Sequence, residues 1–303
     1  MFIEPMLHYA IYLVSIFSLS QSAVLIKYSG IPPETLGFWR LIGASLLLLG
    51  FRAFKDSYRH IFVEILANKK WVILTGVFFY LHLWSYSYSA QATSVAHCMI
   101  LFALNPLFTA VGAKIAFNEP LEKNVAFSYL FALTGLYFLL RSRLSLGLDS
   151  WQGEAAALVS GVLYSVYALL SKRSRKTMNN WNFNIGIYFV CALCFLVTTQ
   201  TFSTPLVGYS SSAWLALIGT ILVPTFLGHS LFSYLMNYLN INWMSCGKLL
   251  EPTLSAFMAF LVFRELVNID TILAFFFTSA AVLFLFFKWE IKNNRFRILL
   301  RKK

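Results

Sequence analysis

Ten apolar stretches divide this chain of 303 residues, and each has the roughly 20 residues that a helix needs to cross a bilayer. Hydrophobic residues make up 59% of the chain and charged residues 12%, whereas a soluble domain is about 25% charged. We therefore predict an all-α polytopic membrane protein with ten transmembrane helices. They are expected at 7–29, 35–54, 71–90, 95–117, 124–141, 154–172, 182–203, 212–237, 242–263 and 270–289.

The chain also repeats itself at an offset of 146 residues, since the segment 93–119 aligns with the segment 239–265 without a gap. In both copies a residue followed by proline precedes the same Phe-x-Glu ending: Asn105-Pro106 aligns with Glu251-Pro252, Phe117 with Phe263 and Glu119 with Glu265. This repeat indicates two halves built on one plan, with a site between them.

Each half contains five of the predicted helices, and the halves join near 142–153, where glycine and aspartate interrupt the apolar pattern. We predict a first five-helix repeat at 7–147 and a second at 151–289, which share one membrane-embedded body. A basic cytoplasmic tail at 290–303 follows them.

Lysine and arginine residues are concentrated in the loops on one side of the predicted helices. With the N-terminus inside, the inner loops and the tail contain seventeen of them and the outer loops three, which places both termini in the cytoplasm. The loop 30–35 has no basic residue, whereas its counterpart in the second half has four. Equivalent loops therefore face opposite sides of the cytoplasmic membrane. Inverted repeats around a midplane site are typical of transporters that open alternately to each side.

The net charge of +12 does not indicate nucleic-acid binding, because most basic residues lie in the inner loops and the tail. There they suit membrane topology and attraction to anionic lipid head groups. The four cysteines lie inside predicted helices, and the pair in 191-CALC-194 lacks the further cysteine or histidine that a metal site needs. We therefore expect no metal, no cofactor and no nucleic-acid partner.

One buried charge pair is the strongest functional signal. Glu251 is the acidic residue that lies well inside a predicted span, and Lys248 precedes it by one helical turn on roughly the same face. The pair could be structural and fix helix packing. It could instead line a central cavity, where Lys248 holds an anionic substrate group or Glu251 carries a coupling proton. Their counterparts in the first repeat are Phe102 and Asn105, so the charge is present in one repeat alone.

Proline follows Asn105 and Glu251 at equivalent depth, and each proline removes a backbone donor and loosens the helix. Pro106 and Pro252 are therefore candidate helix breaks beside a binding site, with simple packing kinks as the alternative. Arg40 lies near the outer end of the second predicted helix. It could extend to the surface, as long basic side chains do, or take part in an outer gate.

Aromatic residues make up 17% of the chain, and several lie deep in predicted spans. Trp84, Tyr86, Tyr164 and Tyr234 are candidates for an aromatic wall that contacts an organic substrate or its cation, with core packing as the alternative. His82 shares a helical face with Tyr86 and is the best histidine candidate. A lone membrane histidine is nevertheless more often a hydrogen-bonded packing residue than a proton relay.

The ten helices in two repeats, each with a proline-containing segment that runs to Phe-x-Glu, resemble the EamA family of the drug/metabolite transporter superfamily. The segments 93–121 and 246–266 carry the resemblance, which covers nearly the whole chain. Relatives usually have glycine before the terminal glutamate, where this chain has Asn118 and Arg264. It is therefore open whether these two helices end in the same turn.

The resemblance implies a small-molecule transporter of the cytoplasmic membrane, in many relatives an exporter of amino acids or other metabolites. It matches Asn105, Pro106, Glu251 and Pro252 to the family motif. The cavity roles of the other candidates are inferred from the residues themselves.

The leading hypothesis is export of an amino acid or related metabolite by alternating access, with a proton or a counter-substrate as a candidate coupling partner. The alternative is import or exchange of an adenosine-containing or nucleotide-like metabolite, which an aromatic wall and Lys248 would also suit. A membrane enzyme acting on lipid is a third class. The sequence disfavours it, because we find no paired carboxylates, histidine cluster with metal spacing or activated nucleophile. Monomer and homodimer both remain open.

The loop charges generate a topology prediction. Single cysteines introduced in 56–68 and in 173–180 should be protected from an impermeant thiol reagent added outside intact cells, because both segments are expected on the cytoplasmic side. Labelling is compared before and after the cells are permeabilised. Labelling of either segment in intact cells would contradict the inverted arrangement.

Overall fold

The computed structural model describes residues 3–54, 57–119, 123–144, 151–264, 269–292 and 295–300. The first half contains α1 (Ile3–Ser20), α2 (Ser22–Ser29), α3 (Pro33–Ala53), α4 (Tyr58–Ala67), α5 (Lys69–Ala92), α6 (Val95–Phe102), α7 (Asn105–Phe117) and α8 (Lys123–Leu144). The second half contains α9 (Trp151–Ser174), α10 (Asn180–Thr201), α11 (Ser211–Thr220), a π-helix (Ile221–Ser230), α12 (Leu231–Leu235), α13 (Ile241–Gly247), a 3-10 turn (Lys248–Leu250), α14 (Glu251–Phe263) and α15 (Ile269–Phe286).

The repeat found in the sequence recurs in the helix boundaries. Helices α7 and α14 begin and end at positions separated by 146 residues, and α6 and α13 begin at the same separation. Asn118 and Arg264, which follow α7 and α14, both adopt the left-handed conformation, with φ of 53° and 57°. Glycine usually supplies this conformation at the end of a helix. The two helices therefore end in the same left-handed conformation although neither Asn118 nor Arg264 is glycine. Glu265 and its loop lie outside the described residues.

The predicted helix breaks are present at both prolines. Pro106 and Pro252 stand in the first turn of α7 and α14, where a missing backbone N–H has no intrahelical acceptor to lose. The predicted spans 95–117 and 242–263 therefore each consist of two shorter helices in series. The span 212–237 contains a further irregularity, a π-helix around Pro224, which the sequence analysis did not identify.

Seven helical segments of the described residues are long and apolar enough to cross a membrane, so the chain is a multi-pass membrane protein. They are Met6–Ser29, Pro33–Ala53, Val95–Phe117, Trp151–Ser174, Asn180–Thr201, Ser211–Leu235 and Ile241–Phe263. Helices α5, α8 and α15 occupy the three other predicted spans. The last two have shorter apolar stretches, Val125–Phe138 and Ile272–Ala281, so a count of ten crossings stays a prediction.

The C-terminal segment departs from the all-helical prediction. The last helix ends at Phe286, three residues earlier than predicted, and the antiparallel strands β1 (Phe287–Lys292) and β2 (Arg295–Leu300) follow it. The sequence of β1, FKWEIK, alternates apolar and charged residues, a period of two that suits a strand rather than a helix. The basic tail therefore contains a hairpin.

Helix packing places the two helix breaks at the centre of the molecule. Helix α5 packs along α9, α10 along α3, and α15 along α8. Helix α14 contacts α6, α1 and α2, so the broken spans of the two repeats meet each other. The Tyr12 hydroxyl of α1 donates a hydrogen bond of 2.5 Å to the Met244 carbonyl, which ties the first span to the broken ninth span.

This contact depends on a glycine. A Cβ atom at Gly247 would lie 2.1 Å from the Tyr12 hydroxyl, which is fully buried and hydrogen-bonded and so has little freedom to move. We expect Gly247→Ala to destabilise the protein by about 1–3 kcal/mol, the usual cost of overpacking. The measurement is thermal or chemical unfolding of the purified protein. Gly50→Ala in α3 is the control, because its Cβ would meet no atom within 4 Å; equal stability of the two variants would contradict the prediction.

Candidate functional site

The break in the ninth span positions Lys248 and Glu251. The 3-10 turn begins at Lys248 and α14 begins at Glu251, which brings the Lys248 Nζ within 3.1 Å of the Glu251 Oε1. The two side chains are 2% and 4% exposed. The spacing noted in the sequence therefore produces an ion pair in the interior of the protein.

Three aromatic rings surround the Lys248 ammonium. The Nζ atom lies 4.0 Å from the centroid of the Tyr164 ring, 5.3 Å from that of Phe232 and 5.5 Å from that of Phe102. A cation at such distances is attracted by the negative face of a ring, most strongly where water is excluded. Phe102 and Lys248 are equivalent positions in the two repeats, so their contact places the ion pair at the boundary between the repeats.

The ion pair borders a small central cavity. The cavity is lined by residues of both repeats: Leu19, Ser22, His82, Leu83, Tyr86, Phe102, Tyr164, His229, Lys248 and Glu251. Its volume is about 20 Å³, which is room for roughly one water molecule. Five of the candidates named from the sequence therefore meet in one place: Lys248, Glu251, His82, Tyr86 and Tyr164. The site is closed around its charged pair and has no space for a metabolite until it widens.

Two of the other polar side chains in the cavity wall, those of His82 and Tyr86, have defined hydrogen-bond partners. The His82 Nδ1 lies 2.8 Å from the Ser160 hydroxyl, and the Tyr86 hydroxyl donates to the Met99 sulfur at 2.9 Å. The Tyr164 hydroxyl has no hydrogen-bond partner among the described residues although it is buried. The Glu251 Oε1 likewise has no hydrogen-bond partner among the described residues beyond its ion pair with Lys248, so the cavity wall contains polar atoms that a solute could satisfy.

Asn105 occupies the position in the first repeat that Glu251 occupies in the second. Its side-chain Nδ2 donates to the Phe102 backbone carbonyl at 2.8 Å. The Asn105 backbone carbonyl accepts hydrogen bonds from the Thr109 and Ser165 hydroxyls. Asn105 does not line the cavity and supports Phe102, which does. It therefore stabilises the broken turn from within.

Arg40 is buried, with 1% of its surface exposed, so it does not extend to the surface. The Nε donates to the Thr225 hydroxyl at 2.7 Å and the Nη1 to the Ser22 hydroxyl at 3.5 Å, while the Nη2 has no partner among the described residues. Ser22 lines the cavity, and Thr225 belongs to the π-helix. Arg40 therefore lies behind the wall of the central cavity, in contact with the lining residue Ser22, whereas the two alternatives drawn from the sequence were extension to the surface and a role in an outer gate.

Two of the sequence candidates lie elsewhere. The Trp84 Nε1 donates to the Glu34 Oε1 at 2.7 Å, and both residues line an open groove of about 720 Å³ at the C-terminal end of α5. The Tyr234 ring lies 4.9 Å from that of Tyr238, in a groove of about 400 Å³ beyond the C-terminal end of α9. Because α5 and α9 run antiparallel, with Thr93 beside Gly153, the two grooves lie at opposite ends of the molecule.

Toward each end of the molecule, a lysine ammonium lies near a phenylalanine ring, and the two phenylalanines are equivalent in the repeats. Lys27 Nζ donates to the Thr93 carbonyl at 2.8 Å and lies 6.0 Å from the centroid of the Phe263 ring. At the opposite end Lys172 pairs with Glu119 and lies 5.2 Å from the centroid of the Phe117 ring. Phe117 and Phe263 are equivalent in the two repeats. A lysine side chain therefore lies near the equivalent phenylalanine at each end.

Sequence reasoning did not select His229 or Ser22 for the site. His229 is equivalent to Leu83 in the first repeat, and both line the cavity, so the offset of 146 could have pointed to it. Ser22 carries no such signal. Among the described residues no group of three or more His, Cys, Asp or Glu side chains is arranged to hold a metal ion.

The ion pair generates a stability prediction. Lys248→Met leaves the Glu251 carboxylate buried without its partner, and Glu251→Gln leaves the Lys248 ammonium unpaired. Removing one partner of a buried pair costs about 3–5 kcal/mol, whereas replacing both is much less costly. We expect Lys248→Met combined with Glu251→Gln to unfold at a higher temperature than either single variant. Strictly additive losses in a double-mutant cycle would contradict an energetically coupled pair.

Comparisons with known proteins agree with this architecture. The sequence profile of the EamA-like transporter family matches residues 6–141 and 151–287. An uncharacterized transporter of Archaeoglobus fulgidus is 27% identical over 201 residues, which is 65% of this chain and 69% of the relative. A solved crystal structure that is 17% identical superposes with a TM-score of 0.74 over 92% of this chain and 96% of its own, and it shows the fold alone. The chain belongs to the EamA-like transporter family of the drug/metabolite transporter superfamily, which confirms the resemblance found in its sequence.

Proposed function

We propose that this protein is a secondary transporter that moves a small metabolite, an amino acid or a related compound, out of the cell across the cytoplasmic membrane by alternating access. The observation that carries the proposal is the Lys248–Glu251 pair in a cavity at the boundary between the two repeats. Family membership supports transport in general, and the export direction rests on what the resemblance implies.

The cost of charge in a membrane supports a functional role for the pair. Two ionised side chains in the hydrocarbon region are expensive, and a well-packed apolar pair of similar volume would stabilise the fold at least as well. Here the pair adjoins a cavity, an aromatic box and the Tyr164 hydroxyl, which has no hydrogen-bond partner in the part of the chain that the structure describes. A purely structural pair has no need of these surroundings, whereas a polar solute does.

Alternating access requires that the site open to one side at a time. We assign the two gates to the contacts of Lys27 and of Lys172, which lie toward opposite ends and involve side chains near helix termini that can separate without unfolding a span. The breaks before α7 and α14 and the π-helix supply positions at which segments of the bundle can bend. We propose that the closed arrangement described above lies between an outward-open and an inward-open form.

Transport is tested with the purified full chain in proteoliposomes, screened with labelled amino acids and adenosine compounds with and without a pH gradient. We expect flux of at least one amino acid or related metabolite. Flux of adenosine compounds alone would favour import or exchange of nucleotide-like metabolites. No flux of any solute would contradict the proposed function.

The role of the ion pair is tested with Lys248→Met in the same assay. We expect binding or flux to fall at least tenfold while size-exclusion chromatography still shows a folded protein, because the variant removes the cavity's ammonium group. Lys69→Met is the matched control, since Lys69 is exposed at the start of α5. Unchanged substrate affinity in Lys248→Met would remove this residue from the site.

A further inference from the structure

The charges around the central cavity do not balance. The cavity wall contains the Lys248 ammonium and the Glu251 carboxylate, and the buried Arg40 guanidinium lies behind the wall, hydrogen-bonded to the lining residue Ser22. The wall also contains the imidazole rings of His82 and His229, and protonation of either ring would add positive charge. The site therefore carries at least one excess positive charge in a region without bulk water.

Arg40 is the source of this excess. A guanidinium has five N–H donors and stays charged in proteins, yet its described partners are two neutral hydroxyls, those of Thr225 and Ser22. No carboxylate among the described residues pairs with it, because Glu251 is engaged by Lys248. The Nη2 is buried and makes no hydrogen bond within the described residues. A buried cation in this condition is costly, and an incoming anion would relieve the cost.

The position of Arg40 connects this unmet charge to the cavity. The Ser22 hydroxyl that accepts from Nη1 belongs to a residue of the cavity wall, so the guanidinium lies one side chain away from the cavity. Arg40 and Lys248 come from different repeats. A group bound between them would contact both halves of the molecule, as the substrate of an alternating-access transporter must.

We propose that the central site, once widened, takes an organic anion whose carboxylate pairs with the Arg40 guanidinium and whose apolar part lies against the rings of Phe102 and Tyr164 beside Lys248. This inference rests on the proposed transport function and names its substrate class. A planar guanidinium matches a carboxylate through two parallel hydrogen bonds, and charge-assisted bonds of this kind are the strong ones. An amino acid meets the requirement through its carboxylate, and its ammonium group can reach the Glu251 carboxylate.

The competing possibility is an organic cation that replaces the Lys248 ammonium in the aromatic box. That arrangement would put three positive charges, those of Arg40, Lys248 and the ligand, beside the single carboxylate of Glu251. The excess charge would rise where an anion would cancel it. The electrostatics of the described residues therefore favour the anion.

The test is a series of three probes that share one ring and differ in charge: benzoate, benzamide and benzylammonium. Each is titrated against the purified full chain, and binding is read from the rise in unfolding temperature. We expect benzoate to bind at least tenfold more tightly than either of the other two. Equal or tighter binding of benzylammonium, or no difference between the three, overturns the inference.

Variants assign the effect to Arg40. We expect Arg40→Gln to weaken benzoate binding at least tenfold and to leave benzamide binding unchanged, while Arg40→Lys, which keeps the charge but loses the planar fork, gives an intermediate loss. Arg141→Gln is the control, because Arg141 is half exposed and pairs with Asp270 away from the cavity. Benzoate binding that is the same in Arg40→Gln as in Arg141→Gln overturns the assignment. If Arg40→Gln does not fold, the charge series on the unaltered protein and the Arg40→Lys variant decide the question.

The two proposals fail in different ways. Flux of neutral or cationic solutes in proteoliposomes, together with weak benzoate binding, would leave the transporter proposal standing and overturn the anion site. Tight, Arg40-dependent benzoate binding without flux of any solute would support the anion site and contradict transport.

Discussion

Inside the hydrocarbon core of a bilayer no water is available to hydrogen-bond a free backbone amide or carbonyl, so a chain that crosses it must satisfy these groups itself. Long helices do so along their whole length. The regular α-helical pattern is interrupted in four places among the described residues: between α1 and α2, between α6 and α7, at the π-helix, and between α13 and α14. Each also contributes a residue to the central cavity: Ser22, Phe102, His229 and Lys248. The irregular backbone is thus gathered in the one place where polar side chains and a cavity can satisfy it.

The two repeats meet this requirement with different chemistry at the same spacing. In the first, the Asn105 amide bonds to the carbonyl of the residue three positions earlier, Phe102, and caps its own break. In the second, Glu251 bonds to the side chain three positions earlier, Lys248, and that side chain extends over the Phe102 ring of the other repeat. Two similar halves supply a symmetric frame, and the difference between them supplies charge. Without the difference the cavity wall would have no ion pair, and without the first repeat the Lys248 ammonium would have no Phe102 ring beside it.

Sequence reasoning was most successful where a feature depends on local spacing. Lys248 and Glu251 are three residues apart, so any helical conformation brings them together, and both proline breaks follow from the missing N–H at Pro106 and Pro252. It was least successful where a side chain could point in two directions. Trp84 and Tyr86 are two positions apart on α5 and therefore lie on different faces, and Tyr86 lines the cavity while Trp84 bonds to Glu34 in a separate groove. Composition cannot decide which face meets the partner helix.

The sequence by itself determined that the chain is a helical membrane protein built from two copies of one plan, because apolar length and the gapless offset need no tertiary information. It also determined the ion pair, whose geometry is that of a single helical turn. The tertiary structure alone decided that Arg40 contacts Ser22 in the cavity wall and that Trp84 and Tyr234 line separate grooves. Such placement is set by which helices pack together, since Arg40 contacts Ser22 on the preceding span and also Thr225, which is 185 positions away in the sequence.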